Sequence, residues 1–169
     1  MIYQPAEDSY LLQKQVEKFA KKGMKILDMG TGSGIQAITA KEQGADVLAV
    51  DINKECLKLK NIKTLQSNLF ENVNEKFDLI IFNPPYLPED EREPEDSKLA
   101  TTGGKKGNEI IEKFLKQVKN HLKENGKILL LFSSLTPDMK ILLKNFKTKK
   151  LSEEKIPYEI LYVYELSKQ

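Results

Sequence analysis

Apolar residues follow two rhythms along this chain. Short runs of four to six alternate with stretches in which apolar positions share one helical face, so strands alternate with helices. Tyr10, Leu11, Val16, Phe19 and Ala20 predict a helix from about residue 7 to 22. Lys25–Asp28 reads as a short buried strand, and a glycine-rich turn leads into a helix from about Ile35 to Gln43, with Gly44 as its stop signal. Val47–Val50 is the second strand; Asn53 can cap a short helix over about 54–60. Ile62–Leu65 is a short third strand, and Phe77–Phe82 is apolar enough to be buried on both faces. A long polar loop is expected from Leu87 to about Gly107, then a helix over Asn108–Lys123. Asn125-Gly126 would turn into a fifth strand, Lys127–Phe132. Pro137 would open a helix to about Phe146, and two strands near 148–156 and 159–166 complete the chain.

This order predicts an α/β domain with a mostly parallel sheet, in which ligands bind beyond the carboxyl ends of the strands. The unusual clusters fall there: Asp28 to Gly34, Asp51, Asn68, and Asn83 to Tyr86. With 169 residues and no linker, one domain over 1–169 is expected. The longest aliphatic and aromatic run, Ile128–Phe132, is far too short to span a membrane. The first eight residues lack a basic and then apolar leader, so the cytoplasm is the expected location.

One cysteine, Cys56, and one histidine, His121, exclude an intramolecular disulfide and a Cys/His zinc site within this chain. Cys56 reads as a reduced thiol and His121 as a solvated helix residue. The net charge is +2, yet Glu89 to Asp96 holds six acids against Arg92, the only arginine. A nucleic-acid surface needs clustered basic residues, and phosphates would be repelled here, so no direct nucleic-acid contact is expected.

Asp28-Met29-Gly30-Thr31-Gly32-Ser33-Gly34 joins a strand to a helix. Its glycines permit positive φ and close approach of a ligand to backbone. A dinucleotide fingerprint would want a glycine at 35, where Ile stands; the third glycine is at 34. The spacing suits a nucleoside without a pyrophosphate, with Asp28 near a ligand ammonium group. Asp51 ends the next strand, 21 residues after Gly30, where a carboxylate can accept two hydrogen bonds from a ribose diol. S-adenosylmethionine (SAM) is therefore favoured over NAD.

Asn83-Pro84-Pro85-Tyr86 follows the most apolar strand. Two prolines fix φ and remove two donors, leaving the Asn83 side-chain oxygen and the Pro84 carbonyl as rigid acceptors. Such a pair can hold both hydrogens of a planar amino or amide group, with Tyr86 offering a ring face. An amide nitrogen is a poor nucleophile; fixed acceptors hold it in line with an electrophilic methyl and stabilise the charge it develops.

With these two motifs on the page, the chain resembles the class I SAM-dependent amino-methyltransferases. The opening Pro5-Ala6-Glu7-Asp8-Ser9-Tyr10-Leu11-Leu12 and Gly103-Gly104-Lys105-Lys106-Gly107 narrow this further. They are similar to the short archaeal and eukaryotic HemK-like glutamine methyltransferases, which modify the Gly-Gly-Gln glutamine of class I peptide chain release factor. The resemblance implies a seven-stranded sheet with helices on both faces and an N-terminal segment, 1–23, completing the cofactor site. It implies a SAM site formed by Ser9, Asp28, Gly30, Thr31, Gly32, Ser33, Gly34, Asp51, Asn68, Leu69 and Asn83. Asn83, Pro84, Pro85 and Tyr86 would hold the substrate amide. The family usually has Asp where Asn68 stands, but Asn keeps a carbonyl acceptor for the adenine amino group. The span from Asp51 to Asn68 is short, so the third helix looks trimmed.

The resemblance also implies a small zinc-binding activator subunit, expected along the edge at Ile62 to Gln66, with the zinc held by that partner. A strand edge can be extended by another chain, and a proline at Lys63 or Leu65 is expected to break such pairing. Two other functions compete: an exocyclic amino methyltransferase of DNA or RNA, and a non-catalytic scaffold of the same fold. The acidic run argues against the first, intact Asn83 to Tyr86 and Asp51 against the second.

Overall fold

The computed structural model describes residues 2–169; Met1, with which the sequence reading begins its N-terminal segment, lies outside the described residues. The strands are β1 (Lys25–Met29), β2 (Asp46–Asp51), β3 (Lys63–Gln66), β4 (Phe77–Phe82), β5 (Leu122–Ser133), β6 (Phe146–Ile156) and β7 (Glu159–Lys168). They form one seven-stranded sheet in the order β3-β2-β1-β4-β5-β7-β6. β1 to β5 are parallel, and β7 runs antiparallel between β5 and β6. Among the described residues five helices flank it: α1 (Glu7–Phe19), α2 (Ile35–Glu42), α3 (Glu95–Thr101), α4 (Glu109–Gln117) and α5 (Met139–Leu142).

Side chains alternate across a strand, so a strand apolar at every position feeds two cores. In β4, Leu79 and Ile81 join Leu11, Leu12 and Val16 of α1 and Ala37 and Ala40 of α2. Ile80 and Phe82 join Ile111, Phe114 and Leu115 of α4 on the opposite face. This sandwich fixes the carboxyl ends of β1, β2 and β4 as a rigid rim.

Several local expectations change. α1 stops at Phe19, because Ala20 is extended while its N–H still bonds Val16 O. Tyr10 is 51 % exposed, and Leu12, fully buried, takes the core position instead. The polar stretch after Leu87 contains α3, begun by Pro94 and acidic in its first turn, where negative charge suits a helix N-terminus. Glu93 accepts hydrogen bonds from the hydroxyls of Ser97, Thr101 and Thr102, so part of the acidic run is structural. The helix expected over 108–123 ends at Gln117, and a 3₁₀ turn, Val118–His121, hands the chain to β5. His121 there stacks on Phe70 at 4.4 Å and bonds Glu75 O through Nδ1, so it is not a free helix residue.

Asn125-Gly126 is an irregularity inside β5 rather than a turn before it: Leu122 pairs with Phe77, and pairing resumes at Lys127 with Leu79. Pro137 does not open a long helix; α5 spans four residues, after Asp138 at φ 60°. A single 3₁₀ turn, Lys54–Leu57, capped by the Asn53 side chain accepting from Glu55 N, replaces the helix expected over 54–60. No helix connects β3 to β4, so β3 is an edge strand with thin cover. Ser67 N donates to Asp51 O at 3.1 Å, and alternation then turns the amides of Lys63 and Leu65 toward β2. The outward amides are those of Thr64 and Gln66, so the informative proline position is Thr64.

Candidate active site

The turn after β1 holds Gly30, Gly32 and Gly34 at φ 64°, 55° and 86°. Thr31 N donates to Val50 O at 2.9 Å, and Gly34 N to Thr31 O at 2.8 Å, so the turn is pinned to β2 and closed on itself. Asp28 is buried; its Oδ2 accepts from Thr31 Oγ1 at 2.7 Å and Ala37 N at 3.1 Å, bracing turn and helix together. Burial pushes its carboxyl up to about 7, opposed by those two bonds and aided by the charge of Asp51. Gly34 serves packing: a Cβ there would meet Leu59 Cδ2 at 2.6 Å.

Asp51 Oδ2 accepts from Gly32 N and Oδ1 from Asn53 N, both at 2.9 Å. The Cys56 thiol also bonds this carboxylate, and the acceptor capacity that remains on the fixed fork is open to a ligand hydroxyl. Ser67 Oγ donates to Leu69 O at 2.8 Å, and Leu69 sits at φ 50°, which brings it against the same space. Asn68 is exposed at the rim.

Across from this wall, β4 ends in Asn83-Pro84-Pro85-Tyr86. Pro84 is buried; Asn83, Pro85 and Tyr86 are half-buried. Tyr86 packs against both cores, and burial, then the Asp8 carboxylate, pushes its phenol well above the usual range. Gly103 N donates to Leu87 O at 2.9 Å, and a Cβ at Gly103 would lie 2.6 Å from Pro85 O. The 103–107 segment is thereby clamped onto the backbone that follows the prolines.

These walls enclose one cavity of about 380 Å³, within the range of about 300–1,000 Å³ usual for small-molecule sites. Of the expected residues it brings together Ser9, Asp28, Gly30, Thr31, Gly32, Ser33, Asp51, Asn68, Leu69, Asn83, Pro84, Pro85 and Tyr86; Gly34 does not reach its wall. Sequence reasoning missed Tyr3, Asp8, Gln36, Leu99 and Lys113, which also line it. The signal for Asp8 was present in the Pro5 to Leu12 opening. Asp8 is 5 % exposed; its Oδ1 accepts from Tyr3 Oη at 3.1 Å, Ser9 N at 2.7 Å and Ser9 Oγ at 3.3 Å, its Oδ2 from Asn83 Nδ2 at 3.2 Å. Cys56 is buried at the cavity, and burial, then Asp51, pushes its thiol up to about 11, consistent with an inert thiol.

The residues present fit SAM. Gly30 and Gly32 put no side chain between backbone and cavity, Asp51 presents a braced fork, and Ile52 and Leu69 give apolar walls for a planar base. Gln36 donates through Nε2 to Ser9 O at 2.8 Å, while its buried Oε1 has no partner, which leaves an acceptor suited to an ammonium group. No helix among the described residues is long and apolar enough to cross a membrane.

Residues 7–162 match the methyltransferase small domain family. The chain is 40 % identical over 178 residues to a Methanocaldococcus jannaschii protein assigned as a protein N5-glutamine methyltransferase, covering 96 % of this chain and 89 % of that protein. It is 33 % identical to human methyltransferase HEMK2, covering 89 % of this chain and 79 % of HEMK2. It superposes with a TM-score of 0.82 and 25 % identity, over 99 % of both chains, on a chain of the E. cuniculi Mtq2–Trm112 complex, responsible for methylation of the eRF1 translation termination factor.

Proposed function

The chain belongs to the methyltransferase small domain family, and from that premise we propose that it methylates the side-chain amide nitrogen of the Gly-Gly-Gln glutamine of a class I peptide chain release factor. SAM, when bound, supplies an electrophilic methyl on a sulfonium. The observation that carries the reading is that Asn83-Pro84-Pro85-Tyr86 faces Gly30, Gly32 and Asp51 across one cavity, at the ends of neighbouring strands β4 and β1.

In this reading, Asp51 holds the ribose, while Leu69 and Asn68 border the adenine. Gly30 to Ser33 let the ligand lie on backbone, and Asn83 Oδ1 and the Pro84 carbonyl take the two hydrogens of the glutamine amide. Tyr86 lies against the plane of that amide. With both amide hydrogens held on Asn83 Oδ1 and the Pro84 carbonyl, the nitrogen lone pair would be presented toward the methyl that SAM would supply, and one amide proton would be released to water. As positive charge builds on the nitrogen, its hydrogen bonds to the two acceptors strengthen, which lowers the barrier.

The partner belongs to the same proposal. β3 has β2 as its one neighbour among the described residues, its outer face carries no connecting helix, and nearby Ile52 is 46 % exposed. A small zinc-binding subunit adding a strand along residues 62–66 would cover this edge. The relative of known structure was solved with Trm112, which supports the placement of such a subunit on this chain.

The test is mass spectrometry of release factor incubated with SAM and the coexpressed complex. One added methyl on the Gly-Gly-Gln peptide, lost when that glutamine is changed to Asn, is expected. Methylation of oligonucleotides with none on the release factor would overturn the reading. Thr64→Pro should abolish complex formation with the activator.

A further inference from the structure

We propose that Asp8 is the positioning residue that turns Asn83 so that its amide oxygen, and not its amide nitrogen, faces the reacting centre. The inference rests on the glutamine-methylation reading for its kinetic consequence, and on geometry alone for the orientation itself.

An asparagine at the end of a strand can present either end of its amide, and the two are nearly isosteric. For Asn83 the choice decides function, because an NH₂ facing a substrate amide would meet donors with donors. The backbone does not settle it. The neighbours Pro84 and Pro85 lack N–H groups, so they supply no local donor to hold the oxygen outward or inward. The choice comes from Asp8, 75 residues away in the chain, whose Oδ2 accepts from Asn83 Nδ2 at 3.2 Å. A carboxylate offers only lone pairs, so the nitrogen must point to it and Oδ1 to the cavity.

Asp8 is itself fixed. Its other oxygen takes Ser9 N–H at 2.7 Å, a backbone donor that cannot reverse, together with the hydroxyls of Tyr3 and Ser9. The site lies on α1, which Gln36 ties to α2 through Ser9 O at 2.8 Å. A negative charge against the NH₂ also polarises the Asn83 amide, placing more electron density on Oδ1. That makes it a better acceptor for an N–H growing more acidic during transfer. Acid in the first turn of a helix has a plain structural use as well, so the test must separate the two.

The isostere does so. In Asp8→Asn the oxygen must remain at Ser9 N–H, which puts the new NH₂ against Asn83 and forces Asn83 to flip its own NH₂ into the cavity. In Asp8→Ala, Asn83 is free to keep its oxygen inward. A structural role predicts that Asn is milder than Ala; the orienting role predicts the reverse. The expected result is a kcat loss on the order of 100-fold for Asp8→Asn and about tenfold for Asp8→Ala, while the melting temperature falls more for Asp8→Ala, which strips the acceptor from Ser9 N–H, than for Asp8→Asn. Asp8→Asn being the milder variant in kcat would overturn the proposal.

A second measurement does not depend on turnover or on the substrate. In ¹⁵N spectra of the full chain, the Asn83 side-chain amide, assigned by its absence in Asn83→Ala, should show one downfield, exchange-protected proton that moves upfield in both Asp8 variants. Unchanged Asn83 signals would also overturn the proposal. If the parent protein methylates no glutamine while these signals shift as expected, the glutamine reading fails and the orientation stands.

Discussion

The two walls of the cavity are built on different principles. The wall made of residues 30–33 and Asp51 is held by bonds between near neighbours on β1, β2 and the turn between them, and its acids are braced by backbone N–H groups. The wall made of residues 83–86 is rigid in backbone but takes its side-chain orientation from α1 at the far end of the chain, and its outer margin is α3, a helix with no buried residue and with Leu99 58 % exposed. A preorganised wall binds; a wall with an exposed, lightly packed margin admits a protein loop. Affinity for SAM and turnover of substrate should therefore respond separately to mutation.

The sharpest break of that comparison is Asn83→Ala. It removes an acceptor used mainly as charge develops, so kcat should fall on the order of 100-fold or more, while calorimetry should find SAM binding near that of the parent. Equal loss of binding and turnover would merge the two walls into one. Next, Asp51→Ala should weaken SAM binding by about 1.5–3 kcal/mol, the range for a hydrogen bond involving a charged group. Titration of the variant against SAM checks it. Gly34→Ala should cost about 1–3 kcal/mol of stability, through left-handed strain and contact with Leu59, read as a lower denaturation midpoint with SAM affinity little changed.

The last effect is a slope, read across pH and not at one condition. Burial raises Asp28 to about 7 in the folded protein from an ordinary value of 3.8. The native state therefore holds the proton more tightly, and the Asp28 contribution is fully present below about pH 4 and lost as pH rises toward 7. Asp28→Asn should remove this term, so the stability of the parent relative to the variant declines across that window. Denaturation midpoints measured at intervals between pH 4 and 7 decide it, and a difference that stays flat would show that Asp28 is not protonated in the native state.

Legibility in the sequence followed the same division. β1, β2 and β4 were readable from the apolar residues inside them, Ile26-Leu27, Val47–Val50 and Leu79–Phe82, and β4 matches the sequence reading at both ends. The glycine turn and Asn83-Pro84-Pro85-Tyr86 were readable because their chemistry is local. What failed was non-local. Val118 and Leu122 stand four apart, a spacing that fits a helix, yet Leu122 pairs with Phe77 as a strand residue. α3 was hidden because it buries nothing, so no apolar period marks it. Gly34 stands among the ligand-facing glycines in the sequence, although its left-handed φ of 86°, with Leu59 packed over it, is what calls for glycine there. Asp8 stood in a quoted motif, but its partner is 75 residues on, and no spacing rule reaches that far.

The position of α1 has a consequence for how the molecule comes into being. Leu11, Leu12 and Val16 share a core with Leu161 and Val163, so α1 packs against a strand that follows it by about 150 residues. Its orienting carboxylate is made early, but the surface that seats it is complete only when β7 has left the ribosome and joined the sheet. Folding must close a loop of about 150 residues between α1 and β7, and such topologies fold slowly compared with locally wired ones. A nascent or C-terminally shortened chain would carry both sequence motifs intact and still lack an assembled catalytic cleft.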